Sequence, residues 1–159
     1  MKKRQSPDTV LAYADGSSLG NPGFGGWAYV VMNGDGSRRA YEAGSAQDVS
    51  NNLMELSAAI MAFDYIAESD VGALRTDSQY VVKGVNSWRK AWEARGMRTA
   101  AGKPVANVEH WRVLYALVDA HKGIRIEWVK GHASDPHNNL VDALAKEAAT
   151  SLKDQCQKT

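Results

Sequence analysis

The hydrophobic pattern of this chain changes period near Asn52, and this change restricts the folds that the chain can adopt. Before it, apolar and polar residues alternate over residues 10–15, 27–32 and 38–43, as they do in half-buried strands. The asparagine and glycines at positions 33–36 tolerate the positive φ angles that a hairpin turn requires. The first part of the chain is therefore predicted to form three antiparallel strands.

Beyond Asn52 the pattern alternates between the periods of helices and strands. We predict helices over residues 52–67, 78–95, 108–121 and 137–152, and strands over residues 71–76 and 124–129. The second helix is expected to break near residues 86–87, and an irregular basic loop follows over residues 96–104. This order predicts an α/β fold with one five-stranded mixed sheet, in which two parallel strands join three antiparallel ones and helices flank the sheet.

Length and composition fit a single domain over residues 1–159, with an ordered core over about residues 8–152 and polar tails. Apolar residues make up 44% of the chain and charged residues 23%, which is typical of a soluble globular protein. Cys156 is the one cysteine, and no stretch has the pattern of a secretory signal or a membrane span. We therefore expect a cytoplasmic protein that does not contact membranes.

Four acidic residues occupy unusual positions. Asp15 and Asp77 each follow the apolar residues of a predicted strand, at the end where open α/β sheets gather their ligand sites. Glu55 and Asp142 lie beside small apolar residues on two predicted helices, which suggests a shared, partly buried pocket. Structural alternatives exist, because an aspartate at a strand end can simply begin a turn. Glu55 can likewise form a capping box in which Asn52 is the N-cap.

Carboxylates that share one pocket repel one another, so their charge has to be compensated. Oxygen ligands suit a hard cation such as Mg²⁺, which typically binds one or two carboxylates and keeps waters for a phosphate substrate. A pair of such ions can activate a water and stabilise the leaving oxygen of a phosphodiester. The four acids therefore favour a metal-dependent hydrolase that acts on phosphodiesters.

Four segments of the chain resemble the motifs of bacterial ribonuclease HI, in the order in which that family has them. They are residues 15–23, 51–56, 76–81, and 128–132 followed by Asn138 and Asp142. The resemblance covers roughly residues 11–149 and implies a ribonuclease H-like fold. It also implies that the four acids are catalytic and hold two Mg²⁺ ions, or Mn²⁺ in their place, when substrate is bound. His132 would lie on a loop near the site and assist proton transfer or product release, whereas a lone histidine is otherwise more often a surface residue.

The same resemblance implies contacts to an RNA–DNA hybrid. It assigns them to the side chains of Asn21, Ser50, Asn51, Asn52, Gln79 and Asn138, with Ser50 on a phosphate. Amides donate and accept hydrogen bonds, which suits 2′-hydroxyls and minor-groove base edges, although such residues more often serve turns and caps. The chain departs from the family at Leu53, where arginine is common, at Arg75, where a small residue is usual, and at 140–141, where a polar pair is familiar. We expect these departures to alter affinity or rate and to leave the chemistry intact.

A basic segment spans residues 88–103. It contains five basic residues and one acidic residue, whereas the whole chain has a formal net charge of only +1. Basic side chains interleaved with tryptophan suit phosphate contacts, and the segment resembles the basic protrusion with which bacterial ribonuclease HI holds the DNA strand. The predicted contacts are Trp88, Arg89, Lys90, Arg95 and Arg98. The alternative is a solvated helix face whose tryptophans belong to the core.

The sequence therefore predicts a monomeric endonuclease that cuts the RNA strand of RNA–DNA hybrids and uses no small-molecule cofactor. Two rival interpretations share the fold: a non-catalytic module that binds hybrids, and a carboxylate-dependent nuclease that acts on DNA. Intact acids argue against the binding module, because unpaired buried carboxylates reduce stability. A nucleotide-binding enzyme is disfavoured, because the glycine-rich residues 20–26 lead into a strand and no Gly-Lys-Ser or Gly-Lys-Thr follows them.

Overall fold

The computed structural model describes residues 9–69, 71–131 and 135–158. Five strands in these ranges form one sheet: β1 (Val10–Ser18), β2 (Gly23–Met32), β3 (Arg38–Val49), β4 (Gly72–Thr76) and β5 (Ile124–Trp128). Their order across the sheet is β3-β2-β1-β4-β5. The first three strands pair antiparallel, β4 pairs parallel with β1, and β5 pairs parallel with β4. The predicted mixed sheet is confirmed.

The α-helices of the described ranges flank this sheet. They are α1 (Asn51–Ile66), α2 (Gln79–Lys83), α3 (Arg89–Ala94), α4 (Val108–Ala120) and α5 (Pro136–Gln157). A π-helical turn, Gly84–Trp88, separates α2 from α3, which confirms the break predicted near residues 86–87. No helix within the described residues has the length and apolar character needed to cross a membrane.

The sheet divides the helices between its two faces, because successive side chains of a strand point in opposite directions. On β1, Ala12 and Ala14 belong to the core cluster that α1 and α4 cover. Tyr13 belongs to the cluster on the other face, where it packs with Val141 of α5. Asp15 is two residues beyond Tyr13 and therefore lies on the α5 face.

Two strand ends differ from the predicted ones, and glycines explain the difference. β1 runs through Asp15 to Ser18 and β2 begins at Gly23, so the prediction that β1 ends on Asp15 is wrong. A Cβ at Gly16 would overlap the backbone of Met54 in α1, and a Cβ at Gly26 would overlap the backbone of Ala145 in α5. These glycines therefore permit close contact between the sheet and a helix on each face.

The hairpin turn forms as predicted, whereas β3 and α5 are longer than predicted. Gly36 has a φ of +89°, and its N–H donates to the carbonyl oxygen of Asn33 over 3.0 Å, as predicted for the turn between β2 and β3. β3 continues to Val49 and α5 to Gln157, beyond their predicted ends. Most of β3 is exposed on the edge of the sheet, so no apolar alternation marks where it stops.

Candidate active site

The ends of β1 and β4 position two of the predicted acids. The parallel pairing of these strands ends at Tyr13 and Arg75, and Asp15 and Asp77 each lie two residues further along the chain. Beyond that pair the two strands no longer hydrogen-bond to each other, and both carboxylates lie at this opening. Asp15 is only 4% exposed, and its Oδ1 accepts a hydrogen bond of 2.9 Å from the N–H of Gly16.

Glu55 reaches the same opening from α1. Ser50 is the N-cap of this helix, because its Oγ accepts a hydrogen bond of 3.1 Å from the N–H of Leu53. The alternative in which Asn52 caps the helix and Glu55 closes a capping box is therefore wrong. Instead, the carboxylate of Glu55 lies near the hydroxyl of Ser78, the N-cap of α2, and this contact favours the ionised form of Glu55.

Three of the four acids converge. One carboxylate oxygen from each of Asp15, Glu55 and Asp77 lies within 4.8 Å of the other two. Asp142 lies at the margin of this group, close enough to Asp15 to contribute to the rise in its pKa. Its Oδ2 is also 3.2 Å from Nζ of Lys146, one turn later on α5. Three of the four acids, far apart in sequence, thus meet in one cluster, and the fourth lies beside it.

Burial and mutual repulsion make this cluster difficult to ionise. Desolvation, with added repulsion from Asp77, raises the pKa of Asp15 to about 9. Burial raises the pKa of Glu55 to about 7, although the nearby hydroxyl of Ser78 opposes this rise. A divalent cation among these oxygens would offset both effects, because the ionised carboxylates would then face a positive charge. The donor set contains oxygen alone, which fits a hard cation.

Two uncharged side chains hold Asp77 in place. Nδ2 of Asn138 in α5 donates to its Oδ2 over 3.5 Å, and Nε1 of Trp128 at the end of β5 donates to its carbonyl oxygen over 3.3 Å. Asn138 is 1% exposed, and its Oδ1 has no hydrogen-bond partner in the described part of the chain. The structure therefore places this predicted hybrid contact against an acid and away from solvent.

Sequence reasoning missed three contacts of the acids: Ser78, Trp128 and Lys146. Lys146 carried a detectable signal, since it follows Asp142 by four residues on a predicted helix, where opposite charges attract. Ser78 and Trp128 carried none. Their contacts depend on the packing of α1 over the sheet and on the pairing of β5 with β4. Local sequence predicts neither arrangement.

The other amides predicted to contact the hybrid lie at the N-termini of α1 and α2. Asn51 and Asn52 begin α1, and the N–H of Asn51 donates to Oδ1 of Asn21 over 3.3 Å. This hydrogen bond joins the loop between β1 and β2 to the helix that carries Glu55. Asn52 and Gln79 are exposed, so both amides are accessible beside the acid cluster.

The cations of the basic segment differ in their surroundings. Arg89 forms two hydrogen bonds with Asp119 of α4, of 2.7 and 2.6 Å, and one of 2.8 Å with Glu93. Its guanidinium carbon also lies 4.4 Å from the ring centre of Tyr115. These contacts occupy Arg89 and anchor α3 to α4. The other predicted cations of the segment are exposed: Lys90, Arg95 and Arg98.

The tryptophans of the basic segment join an aromatic cluster. The ring centre of Trp92 lies 5.5 Å from those of Trp88 and Trp111, and Trp111 is fully buried. Trp92 is half-buried, so it serves the core as the alternative interpretation expects. Trp88 is 36% exposed and presents part of its ring to solvent beside the exposed cations.

His132 lies outside the described residues. Gly131, just before it, is next to the acid cluster, since a Cβ at this position would be 2.9 Å from Oδ2 of Asp77. The chain that leads from β5 toward the predicted histidine loop therefore passes directly beside an acid.

The chain is similar to several known proteins along most of its length. The family model for RNase H matches residues 7–150. Ribonuclease H of Xanthomonas oryzae pv. oryzae is 44% identical over 146 residues, which cover 92% of this chain and 95% of that protein. Ribonuclease H of Ruthia magnifica subsp. Calyptogena magnifica is 42% identical over 144 residues, which cover 90% of this chain and 97% of that protein.

Solved structures agree with these matches. LC9-RNase H1, a type 1 RNase H with the type 2 active-site motif, aligns with a TM-score of 0.78 at 31% identity, over 94% of this chain and 75% of that one. The N-terminal RNase H domain of a Mycobacterium tuberculosis protein aligns with a TM-score of 0.72 at 25% identity, over 93% and 98% of the two chains. Because the family match extends over nearly all of the sequence and the relatives align along almost their whole length, this chain belongs to the ribonuclease H family.

Proposed function

We propose that this enzyme hydrolyses internal phosphodiesters in the RNA strand of RNA–DNA hybrids and leaves 5′-phosphate and 3′-hydroxyl ends. The observation that carries the proposal is the convergence of Asp15, Glu55 and Asp77, with one oxygen of each within 4.8 Å of the others. Family membership supports the substrate class. LC11-RNase H1, solved in complex with an RNA/DNA hybrid, shares the fold with a TM-score of 0.69 at 18% identity, over 90% of this chain and 98% of that one.

The acid cluster fits a divalent metal, for which we propose Mg²⁺, with Mn²⁺ as the alternative and two ions when substrate is bound. Asp15, Glu55 and Asp77 would hold the ions, and Asp142, beside Asp15, would complete the set of ligands. The fit rests on the all-oxygen donor set and on the raised pKa of Asp15 and of Glu55, which mark negative charge in need of compensation. When bound, such ions activate a water for in-line attack and stabilise the leaving oxygen of the phosphodiester.

The chain's own residues orient the acids before substrate arrives. The N–H of Gly16 donates to Asp15, and the hydroxyl of Ser78 lies near Glu55, where it lowers the pKa of that carboxyl; donors to a carboxylate favour its ionised form. Asn138 and Trp128 fix the side chain and the backbone of Asp77. Preorganised contacts of this kind limit the reorganisation that binding and catalysis require. From its motif alone, we assign His132 to proton transfer or product release.

The substrate contacts follow the exposed residues around the cluster. The side-chain amides of Asn52 and Gln79 are placed to hydrogen-bond with 2′-hydroxyls and minor-groove base edges, which distinguish RNA from DNA. Asn21, Asn51 and Ser50 shape the surface beside them. We assign the phosphates of the DNA strand to Trp88, Lys90, Arg95 and Arg98, with Arg89 as the anchor that holds this segment on α4.

Incubation of an RNA–DNA hybrid labelled on the RNA strand, with and without Mg²⁺, tests the proposal. The parent enzyme should cut the RNA only with divalent metal and leave 3′-hydroxyl ends, and Asp15→Asn should leave it intact. Products with 2′,3′-cyclic phosphate would contradict the mechanism, because they require the RNA's own 2′-hydroxyl as nucleophile. A hybrid that is retarded without being cut would indicate a binding module, and cleavage of a DNA duplex would indicate a DNA nuclease.

We further propose that the enzyme works in the cytoplasm, as a monomer and without a small-molecule cofactor. Its single cysteine excludes an intramolecular disulfide, which suits a reducing compartment. Light scattering over a range of protein concentrations tests the monomer, since a dimer would show twice the mass of 17.3 kDa.

A further inference from the structure

Arg75 belongs to a row of polar side chains directly behind the acids. The register of the sheet places Tyr13, Arg75 and Glu127 side by side on β1, β4 and β5. Nη1 of Arg75 donates to the hydroxyl of Tyr13 over 3.1 Å. Asp15 and Asp77 follow Tyr13 and Arg75 by two residues each, so this row is the neighbour of the catalytic one.

The bond to Tyr13 is the closer of the two contacts that Arg75 makes within the row. On the other side, Nε of Arg75 lies 3.6 Å from Oε1 of Glu127, beyond hydrogen-bond distance. That oxygen is buried and has no hydrogen-bond partner among the residues described. Removal of the guanidinium should therefore affect Tyr13 more than Glu127.

Tyr13 connects the row to the start of α5. Its ring centre lies 5.2 Å from that of His137, the second residue of this helix. Its hydroxyl also lies near Asp135, the N-cap of the helix. Tyr13 is buried and packs with Val141 one turn further on, so a displaced ring would displace the helix with it.

The first turns of α5 carry two residues that contact the acid cluster. Asn138 donates to Asp77, and Asp142 lies beside Asp15. We infer that Arg75 is a positioning residue, which acts through Tyr13 to hold the start of α5 so that Asn138 and Asp142 meet their partners. The effect on catalysis rests on the proposed function, whereas the effect on the helix does not. Arginine suits this role because its planar fork loses little freedom for each hydrogen bond that it forms.

Arg75→Ala and Tyr13→Phe test this inference by two readouts. Each variant should lower kcat for hybrid cleavage about tenfold, the size typical when the support behind metal ligands is removed, while KM changes by less than about twofold. In metal-free protein, amide hydrogens of residues 137–142 should exchange faster in both variants. The double variant should be no worse than either single one, because the two residues act through one hydrogen bond. Arg75→Lys should restore part of both effects.

Arg125→Ala is the matched control. Arg125 lies on the same face of β5, but it pairs with Ala73, one row further from the acids, and is 3.9 Å from Oε2 of Glu127. This variant should keep the parent's kcat and amide exchange. If Arg75→Ala behaves like Arg125→Ala in both readouts, the inference is overturned.

Failure of the proposed function is distinguishable from failure of this inference. If the parent does not cut hybrids, the function fails, and amide exchange still decides the role of Arg75. If Arg75→Ala does not fold, Tyr13→Phe decides by the same readouts, because it keeps the ring and removes only the hydroxyl.

Discussion

Asp15 lies where its charge is unfavourable without a cation, so a neutral replacement should separate activity from stability. We expect Asp15→Asn to lower kcat about 10³-fold or more, because groups that act as one unit lose most of their effect together. The same change should raise Tm of the metal-free protein at about pH 8. At this pH Asp15 has to take up a proton when the chain folds, whereas asparagine is always neutral and still accepts the N–H of Gly16. Each kcal/mol gained shifts Tm by about 2–4 °C for a domain of this size.

Calorimetry in EDTA and steady-state kinetics check this prediction. Asp154→Asn, which changes an exposed acid at the far end of α5, is the control and should alter neither quantity. A lower Tm for Asp15→Asn than for the parent would show that burial does not penalise the carboxylate.

The acids of the site were predictable from the sequence. The residues that cap a helix or contact an acid were less so. Ser50 and Asn52 are both good N-cap residues, so local sequence alone does not choose between them. The hydrogen bond from Leu53 shows that Ser50 has this role, and it leaves Glu55 available to the site. Asn138 was predicted from its motif, but its contact with Asp77 depends on how α5 crosses the sheet.

Among the elements, α3 and the loop after it carry exposed cations whose role should appear in substrate binding. We expect the triple change of Lys90, Arg95 and Arg98 to glutamine to raise KM for the hybrid more than it lowers kcat. The salt dependence of binding should also weaken, by about one unit of slope for each phosphate that is no longer neutralised. Steady-state kinetics at several salt concentrations measure both effects, and an unchanged KM at moderate salt would contradict the assignment.

Arg89→Gln provides the comparison for that triple variant. Because Arg89 is bonded to Asp119 and Glu93, its removal should mainly lower Tm. A selective rise in KM without a change in Tm would instead place Arg89 among the substrate contacts.

The π turn between α2 and α3 should tolerate no added side chain at Gly84. A Cβ there would overlap the ring of Trp111, and the hydroxyl of Tyr115 donates to the carbonyl oxygen of Gly84 over 2.7 Å. Overpacking costs about 1–3 kcal/mol, which meets or exceeds the gain of about 1 kcal/mol from replacing glycine by alanine in a helix. We therefore expect Gly84→Ala to lower the free energy of unfolding, measured in denaturant.

Ser87→Ala, at an exposed position of the same turn, is the control for Gly84→Ala. It should leave the midpoint of unfolding nearly unchanged. A more stable Gly84→Ala protein would mean that helix propensity outweighs the overlap with Trp111.

For the whole molecule, the acid cluster should make the stability of the metal-free protein depend on pH. The pKa of Asp15 is about 9 and that of Glu55 about 7 in the folded chain, whereas unfolded chains have values of about 3.9 and 4.3. Between these limits the unfolded chain has released protons that the folded chain retains. The stability contributed by these groups is therefore complete below about pH 4 and is lost as pH rises toward about 9.

Calorimetry in EDTA should consequently show Tm falling from about pH 5 to about pH 9, and added Mg²⁺ should reduce the fall. Hydrogen bonds from Ser37 and Arg89 lower the pKa of Asp35 and of Asp119 respectively, so those acids are ionised throughout this window. Asp15→Asn in EDTA should show a smaller fall than the parent. A Tm that does not change over this range would contradict the cluster's electrostatics.

The succession of strands and helices along the chain and the mixed character of the sheet were predictable, because strand and helix periods are strong over most of the sequence. The glycine-rich connection between β1 and β2 was not, because the meaning of Gly16 and Gly26 depends on helices far away in sequence. The exposed edge strand β3 likewise ends without an apolar signal. Arg75 was visible as an unusual residue, but its partners lie on two other strands and appear only with the register.

The close approach of Gly16 to the backbone of Met54 limits which substitutions this enzyme can accept. Asp15 directly precedes Gly16, and Glu55 directly follows Met54. The contact between main-chain atoms therefore sets the distance between these two acids. Substitutions on the apolar face of α1 can accumulate without altering that distance, whereas a methyl group added at Gly16 would increase it. The geometry of the acid cluster is in this way protected from changes in the hydrophobic core.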